Sequence, residues 1–245
     1  MNQDHHILSE FSLHTIIPFN LFGYNLDITN STVFMFLAAF VAFVFFAFAF
    51  HKKSLIPSRV QLCAEIIHNM IIDMLDNNVG KEGQKFAPLI FSTFIFVLLC
   101  NLIGNMPYAF MVTAHVITTF SVAIVLYVAF TIFALYKRGI KFFALFLPHG
   151  TPIWLAPLMI VTEFLTFLSK PISLTLRLAA NMIAGEILLI VLAGFAVSLV
   201  FVVKILPISL LVLVIIFELG VAVLQAYIFT MLSCVYLGSM LSEEH

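Results

Sequence analysis

The chain has 245 residues, 63% hydrophobic and 9% charged, with a mean hydropathy of +1.16. A soluble domain carries about 25% charged residues, so a soluble globular protein and a disordered chain are excluded. The 11 basic and 12 acidic side chains nearly cancel and leave no basic field for nucleic acid, so the composition is that of a polytopic membrane protein.

Residues 1–31 are polar to mixed, with Asp4, Glu10 and Asp27 as their charges. Residues 32–50 form the first uncharged apolar run, about 29 Å of helix at 1.5 Å per residue and enough to span a bilayer. His51-Lys52-Lys53 closes it, with Arg59 close behind. By the positive-inside rule the N-terminus lies outside and residues 51–85 lie on the cytoplasmic or matrix side. Over 59–79, Leu62, Ile66 and Met70 alternate with Glu65, His68, Asn69 and Asp73. That pattern predicts an amphipathic surface helix, stopped by Asn77-Asn78-Val79-Gly80. Residues 86–104 make a second span with Asn101 near its end, 105–114 an outer connection, and 115–136 a third span. The third span ends at Lys137-Arg138-Gly139-Ile140-Lys141, a second basic cluster on the same side as the first.

The last hundred residues differ. Between Phe142 and Ser242 the charges are Glu163, Lys170, Arg177, Glu186, Lys204 and Glu218, several of them midway in apolar sequence of helix length. A charge there costs several kcal/mol, and the default inference is an ion path. A helix over 157–200 is about 65 Å long, about twice the hydrocarbon thickness. It must either break at Gly185 and Gly194 or lie tilted, and tilt is favoured because no polar turn interrupts it. With a second helix over 205–241 it makes an antiparallel hairpin turning near 200–206, where Lys204 reaches the interface. The predicted fold is an all-α polytopic membrane protein, one integral membrane domain over 1–245, with upright N-terminal spans, an amphipathic surface helix and a C-terminal hairpin of two long tilted helices.

Level arithmetic in that hairpin places Arg177 opposite Gln225 and Glu186 opposite Glu218. Asn181, four residues after Arg177, shares its face, and Glu163 and Lys170 stand fourteen and seven residues before it, also near that face. Arg177 keeps its proton and cannot relay one, but it attracts carboxylates and holds off protons. An acid in apolar surroundings can hold and release a proton in the working range. A fixed cation between two acid-lined routes prevents a direct leak. Glu163 either lines the outer route or pairs with Lys170. Asn101, His115 and His149 either line a water-filled path or serve as helix glue and interface residues. Cys63, Cys100 and Cys234 lack metal or disulfide spacing and read as small buried hydrophobes.

The run from Ser169 to Glu186 has Leu176-Arg177-Leu178-Ala179-Ala180-Asn181 at its centre and Ala184-Gly185-Glu186 at its end. With Glu218-Leu219-Gly220 to Gln225-Ala226-Tyr227 and the Ser242-Glu243-Glu244-His245 ending, it resembles subunit a of F-type ATP synthases, the mitochondrial subunit 6 type included. Phe146-Leu147-Pro148 to Pro157 and Asp27 to Ser31 extend the likeness over most of the chain. The resemblance implies a proton-translocating stator beside a ring of c-subunits, with peripheral-stalk subunit b and other membrane-sector subunits as neighbours. It implies that Arg177 faces the ring carboxylate, that Asn181 and Gln225 are its polar neighbours, and that Glu186 and Glu218 belong to the outer half-channel. It implies an energy-coupling membrane, the mitochondrial inner membrane before the bacterial one. Some relatives have His at one or other of the two acid positions, so the order of Glu186 and Glu218 stays open.

Two other classes fit less well. A redox subunit holding haem needs facing His pairs, and the last two helices have none before His245. A secondary transporter tends to show inverted repeats, which are absent from the sequence. No cofactor or metal is called for, and without a Walker-type loop the chain itself binds no nucleotide.

Overall fold

The computed structural model describes residues 15–17, 20–21, 24–25, 27–50, 58–106, 109–146, 154–198 and 205–241, so His149 and Lys204 lie outside the described residues. Two antiparallel ribbons form among the first of these: β1 (Thr15–Ile17) with β4 (Ile28–Thr29), and β2 (Asn20–Leu21) with β3 (Tyr24–Asn25). The rest is helical: α1 (Asn30–Phe50), α2 (Arg59–Asn78), α3 (Ala87–Gly104), α4 (Val116–Arg138), α5 (Ala156–Ser198) and α6 (Ile205–Leu241). Among the described residues five helices are long and apolar enough to cross a membrane, and α2 is not one of them. The architecture is that of an all-α polytopic membrane protein. Helix α5 passes through Gly185 and Gly194 without a break, which settles the choice between a broken helix and an over-long one.

The chain divides into two compact units, one of residues 1–52, 95–115 and 179–226, the other of 53–94, 116–178 and 227–245. In the first, α1 buries little beyond Ser31, Ala38 and Ala49 and turns Phe36, Phe40, Phe43 and Phe48 outward, as a helix facing lipid does. The α5 segment after Ala179 and the α6 segment up to Ala226 pair antiparallel. Ala179 and Met182 are buried on one, and Glu218, Ala222, Gln225 and Ala226 on the other. Spacings of three and four residues put each set on a single face.

In the second unit, Ser58 caps α2 by accepting the Gln61 amide at 3.3 Å. The buried Ala64, Ile71, Met74 and Leu75 define its inner face, and Glu65, Asp73 and Asp76 stay exposed. Gly80 follows the helix at φ +78° and ψ −171°, a backbone conformation open essentially to glycine alone. Gly238 of α6 packs so closely on the Asn78 carbonyl that a Cβ would collide with it. Lys137 pairs with Glu82. Arg138 donates to the Met240 carbonyl at 3.2 Å, at the negative end of the α6 dipole.

Pro171 lies inside α5 and has no N–H to give the carbonyl four residues back. That carbonyl, of Phe167, instead accepts the Tyr127 hydroxyl of α4 at 2.6 Å. Tyr127 is buried, and its ring packs 4.8 Å from that of Phe167. Tyr127→Phe leaves the carbonyl without its donor and is expected to cost about 1–3 kcal/mol. Restoring the N–H by Pro171→Ala should shrink that penalty. A double-mutant cycle on thermal stability in detergent checks this, and additive effects of the two changes would rule the pairing out.

Candidate functional site

The first unit contains most of the polar residues singled out in the sequence. On α5, Asn181 donates from Nδ2 to Oε1 of Gln225 on α6 at 3.0 Å. Gln225 is 1% exposed, and its Nε2 has no acceptor among the described residues. The level arithmetic set Gln225 opposite Arg177, whereas its hydrogen bond goes to Asn181, one turn further along α5. Side chains on a helix lean toward its N-terminus, so the long Gln225 arm on the antiparallel partner reaches past its own level.

Glu218 is two turns earlier on α6, on the same face as Gln225, and is 8% exposed. Its carboxyl lies against the backbone of α5 at Gly185. A Cβ there would stand 3.0 Å from Glu218 Cδ and collide with Oε1. The absence of a side chain at Gly185 is therefore what makes room for the acid between the helices. Neither carboxyl oxygen of Glu218 meets a hydrogen-bond donor among the described residues.

Helix α3 supplies the third wall. Asn101, 0% exposed, donates to the Ala222 carbonyl at 3.3 Å. Asn105, just past the end of α3, donates to the Glu218 carbonyl at 3.2 Å. The Oδ1 of Asn101 is buried with no partner among the described residues.

Glu186 is half-buried and borders a cavity of about 640 Å³, whose wall includes Asn30, Asn105, Phe110, Leu211 and Ile215. His115 stacks on Phe110 with ring centroids 4.9 Å apart and planes 16° apart, so it stands behind the cavity wall. Adjacent helical positions are turned by about 100°. That rotation lets Gly185 meet Glu218 while Glu186 opens on the cavity.

Arg177, Lys170 and Glu163 belong to the second unit. Arg177 is exposed on α5. The Lys170 ammonium stands 5.4 Å from the Tyr236 ring centroid and 3.4 Å from Ser239 Oγ. Glu163 is half-buried, seven residues before Lys170 on the same helix.

Several residues of these sites escaped the sequence reading: Asn30, Asn105, Gly185 and Tyr236. The Asn101–Asn105 spacing of four was the one visible signal for Asn105, since it puts two amides on one helix face.

The model of the family described as ATP synthase A chain matches residues 32–238. The chain belongs to this family. ATP synthase A chains are the proton-translocating subunit a of the synthase membrane sector, a proton-channel component of the larger enzyme. This A chain is accordingly a multi-pass protein of an energy-coupling membrane that associates with other membrane-sector subunits.

Proposed function

We propose that protons reach the A chain through the cavity beside Glu186, pass to Glu218, and are handed to a carboxyl of a rotating c-subunit ring. Asn101 lines the outer route, with His115 behind its wall and His149 as a further candidate, and the Asn181–Gln225 pair forms its inner limit. Arg177, one turn before Asn181 on α5, bars the direct crossing. Glu163 either lines the outer route as well or pairs with Lys170. The observation that best supports this path is the Glu218 carboxyl itself. It is buried between helices, both oxygens lack a donor among the described residues, and Gly185 leaves the space it occupies. A carboxyl can accept a proton on one oxygen and release it from the other, which is what a relay requires.

The A chain in this reading is non-catalytic and binds no nucleotide. It works against the c-ring and is held by peripheral-stalk subunit b, in the mitochondrial inner membrane. Each proton that crosses gains about 2.3 kcal/mol per 100 mV, and ring rotation transmits the gain.

The experiment is ATP-driven proton uptake by vesicles holding the complex with Gln225→Leu. The change removes the acceptor of Asn181 and a buried amide while keeping the bulk of the side chain. Uptake per complex should fall roughly three- to tenfold, the scale of one hydrogen bond. Uptake at the wild-type rate would remove Gln225 from the path.

A further inference from the structure

We propose that Asn105 is a positioning residue for Glu218, setting with Asn101 the rotation of α6 that turns the Glu218 carboxyl toward Gly185. The inference rests on the proton-path reading of Glu218 and concerns how that acid is held. Asn101 and Asn105 are four residues apart, and the backbone amide of Asn105 still donates to the Asn101 carbonyl at 3.2 Å. The turn after Gly104 therefore continues the helical spacing, and both side chains leave α3 on one face. Their acceptors, the carbonyls of Ala222 and Glu218 at 3.3 and 3.2 Å, are also four residues apart, and in antiparallel order. Two equal spacings make a two-rung ladder between the helices.

A carbonyl inside a helix already receives one amide, so a second donor on each of two successive turns is not needed for α6 to form. What the ladder adds is orientation. Backbone carbonyls point along the helix axis and are fixed to the helix frame, so tethering two of them fixes the rotation of α6 about its axis. Glu218 points between α6 and α5, where the fit at Gly185 is close enough that a single Cβ would collide with it. A rotation of about 20° carries a carboxyl on a helix of 2.3 Å Cα radius through roughly 2 Å, more than that fit allows. Asn105 also borders the Glu186 cavity, so the residue that orients Glu218 stands where the outer route reaches it.

The test uses the whole complex in vesicles, carrying Asn105→Leu, Asn105→Gln or Glu218→Gln. Asn105→Leu keeps the volume and removes the donor. Proton uptake per assembled complex is expected to drop roughly tenfold and to recover in part with Asn105→Gln. The dependence of ATP synthesis on outer-side pH should also be displaced in Asn105→Leu, which a loss of folded complex alone would not do. If Glu218→Gln is inactive while Asn105→Leu keeps the wild-type rate and pH profile, positioning is overturned and the proton path stands. A reduced amount of complex with an unchanged rate per complex overturns it equally. A fully active Glu218→Gln overturns the path itself. Should Asn105→Leu fail to assemble, Asn105→Ser, too short to reach the Glu218 carbonyl, is held to the same outcomes.

Discussion

Vesicles carrying the complex with Arg177→Ala are expected to hydrolyse ATP without accumulating protons, and to leak an imposed proton gradient faster than wild type. A guanidinium keeps its charge at any working pH. Arg177 is exposed on α5 and makes no ion pair among the described residues, so its charge is available to a partner surface. Two effects disappear with it. On the proposed path, a ring carboxylate that has given up its proton would lose the cation that stabilises it as it passes, and protons would lose the barrier between the two half-channels. The second effect predicts a leak as well as a loss of pumping, and the leak distinguishes a missing barrier from a misfolded subunit. Arg177→Lys should be intermediate, because an ammonium retains the charge but lacks the planar fork that matches a carboxylate and can shed its proton. Lys170 does not stand in for Arg177. Its ammonium is engaged with the Tyr236 ring and Ser239, and it is half-buried. Net proton uptake at the wild-type rate in Arg177→Ala would defeat the assignment.

The helices were legible because in a bilayer every backbone group must be paired within the segment, so an uncharged apolar run of sufficient length leaves few alternatives. Lys137 and Arg138 close α4, and the polar mixture over α2 excludes it from spanning. The charges inside α5 and α6 were legible for the same reason in reverse, since each is costly enough to demand a use. Three things were not. The short β1–β4 and β2–β3 pairings arise in a segment of mixed composition where alternation is too brief to detect. Tyr127 supplies the Phe167 carbonyl with a donor from 40 residues away, and only the missing N–H of Pro171 hints that some donor must exist. The last is register. Level arithmetic compares Cα positions, but contacts are made by side chains that lean by up to a turn. Asn181 thus donates to Gln225, and Glu218 lies against Gly185, the neighbour of Glu186. Asn105 was hidden because its partner is a main-chain carbonyl, which no residue type announces.

Glu218→Gln should abolish proton uptake while preserving assembly, because an amide fills the same space beside Gly185 but cannot exchange a proton as a carboxyl does. The stronger test of the geometry leaves the acid in place. Gly185→Ala puts a methyl where Glu218 Oε1 now lies, with Cδ only 3.0 Å away. The methyl itself favours helix by about 1 kcal/mol over glycine, so α5 does not unravel, and the strain falls on Glu218. The carboxyl must move by the width of a methyl group, and a misplacement of about 1 Å can cost 10²-fold in rate. A loss of that order is expected in Gly185→Ala, measured as proton uptake per assembled complex. Shortening the acid should relieve the collision. Gly185→Ala with Glu218→Asp is then expected to pump faster than Gly185→Ala alone, even though Glu218→Asp by itself withdraws the carboxyl and slows transport. Only complementarity of size between the two positions produces that reversal. If the double variant is no faster than either single one, the space at Gly185 is not what places the acid, and the path through Glu218 needs another route between α5 and α6.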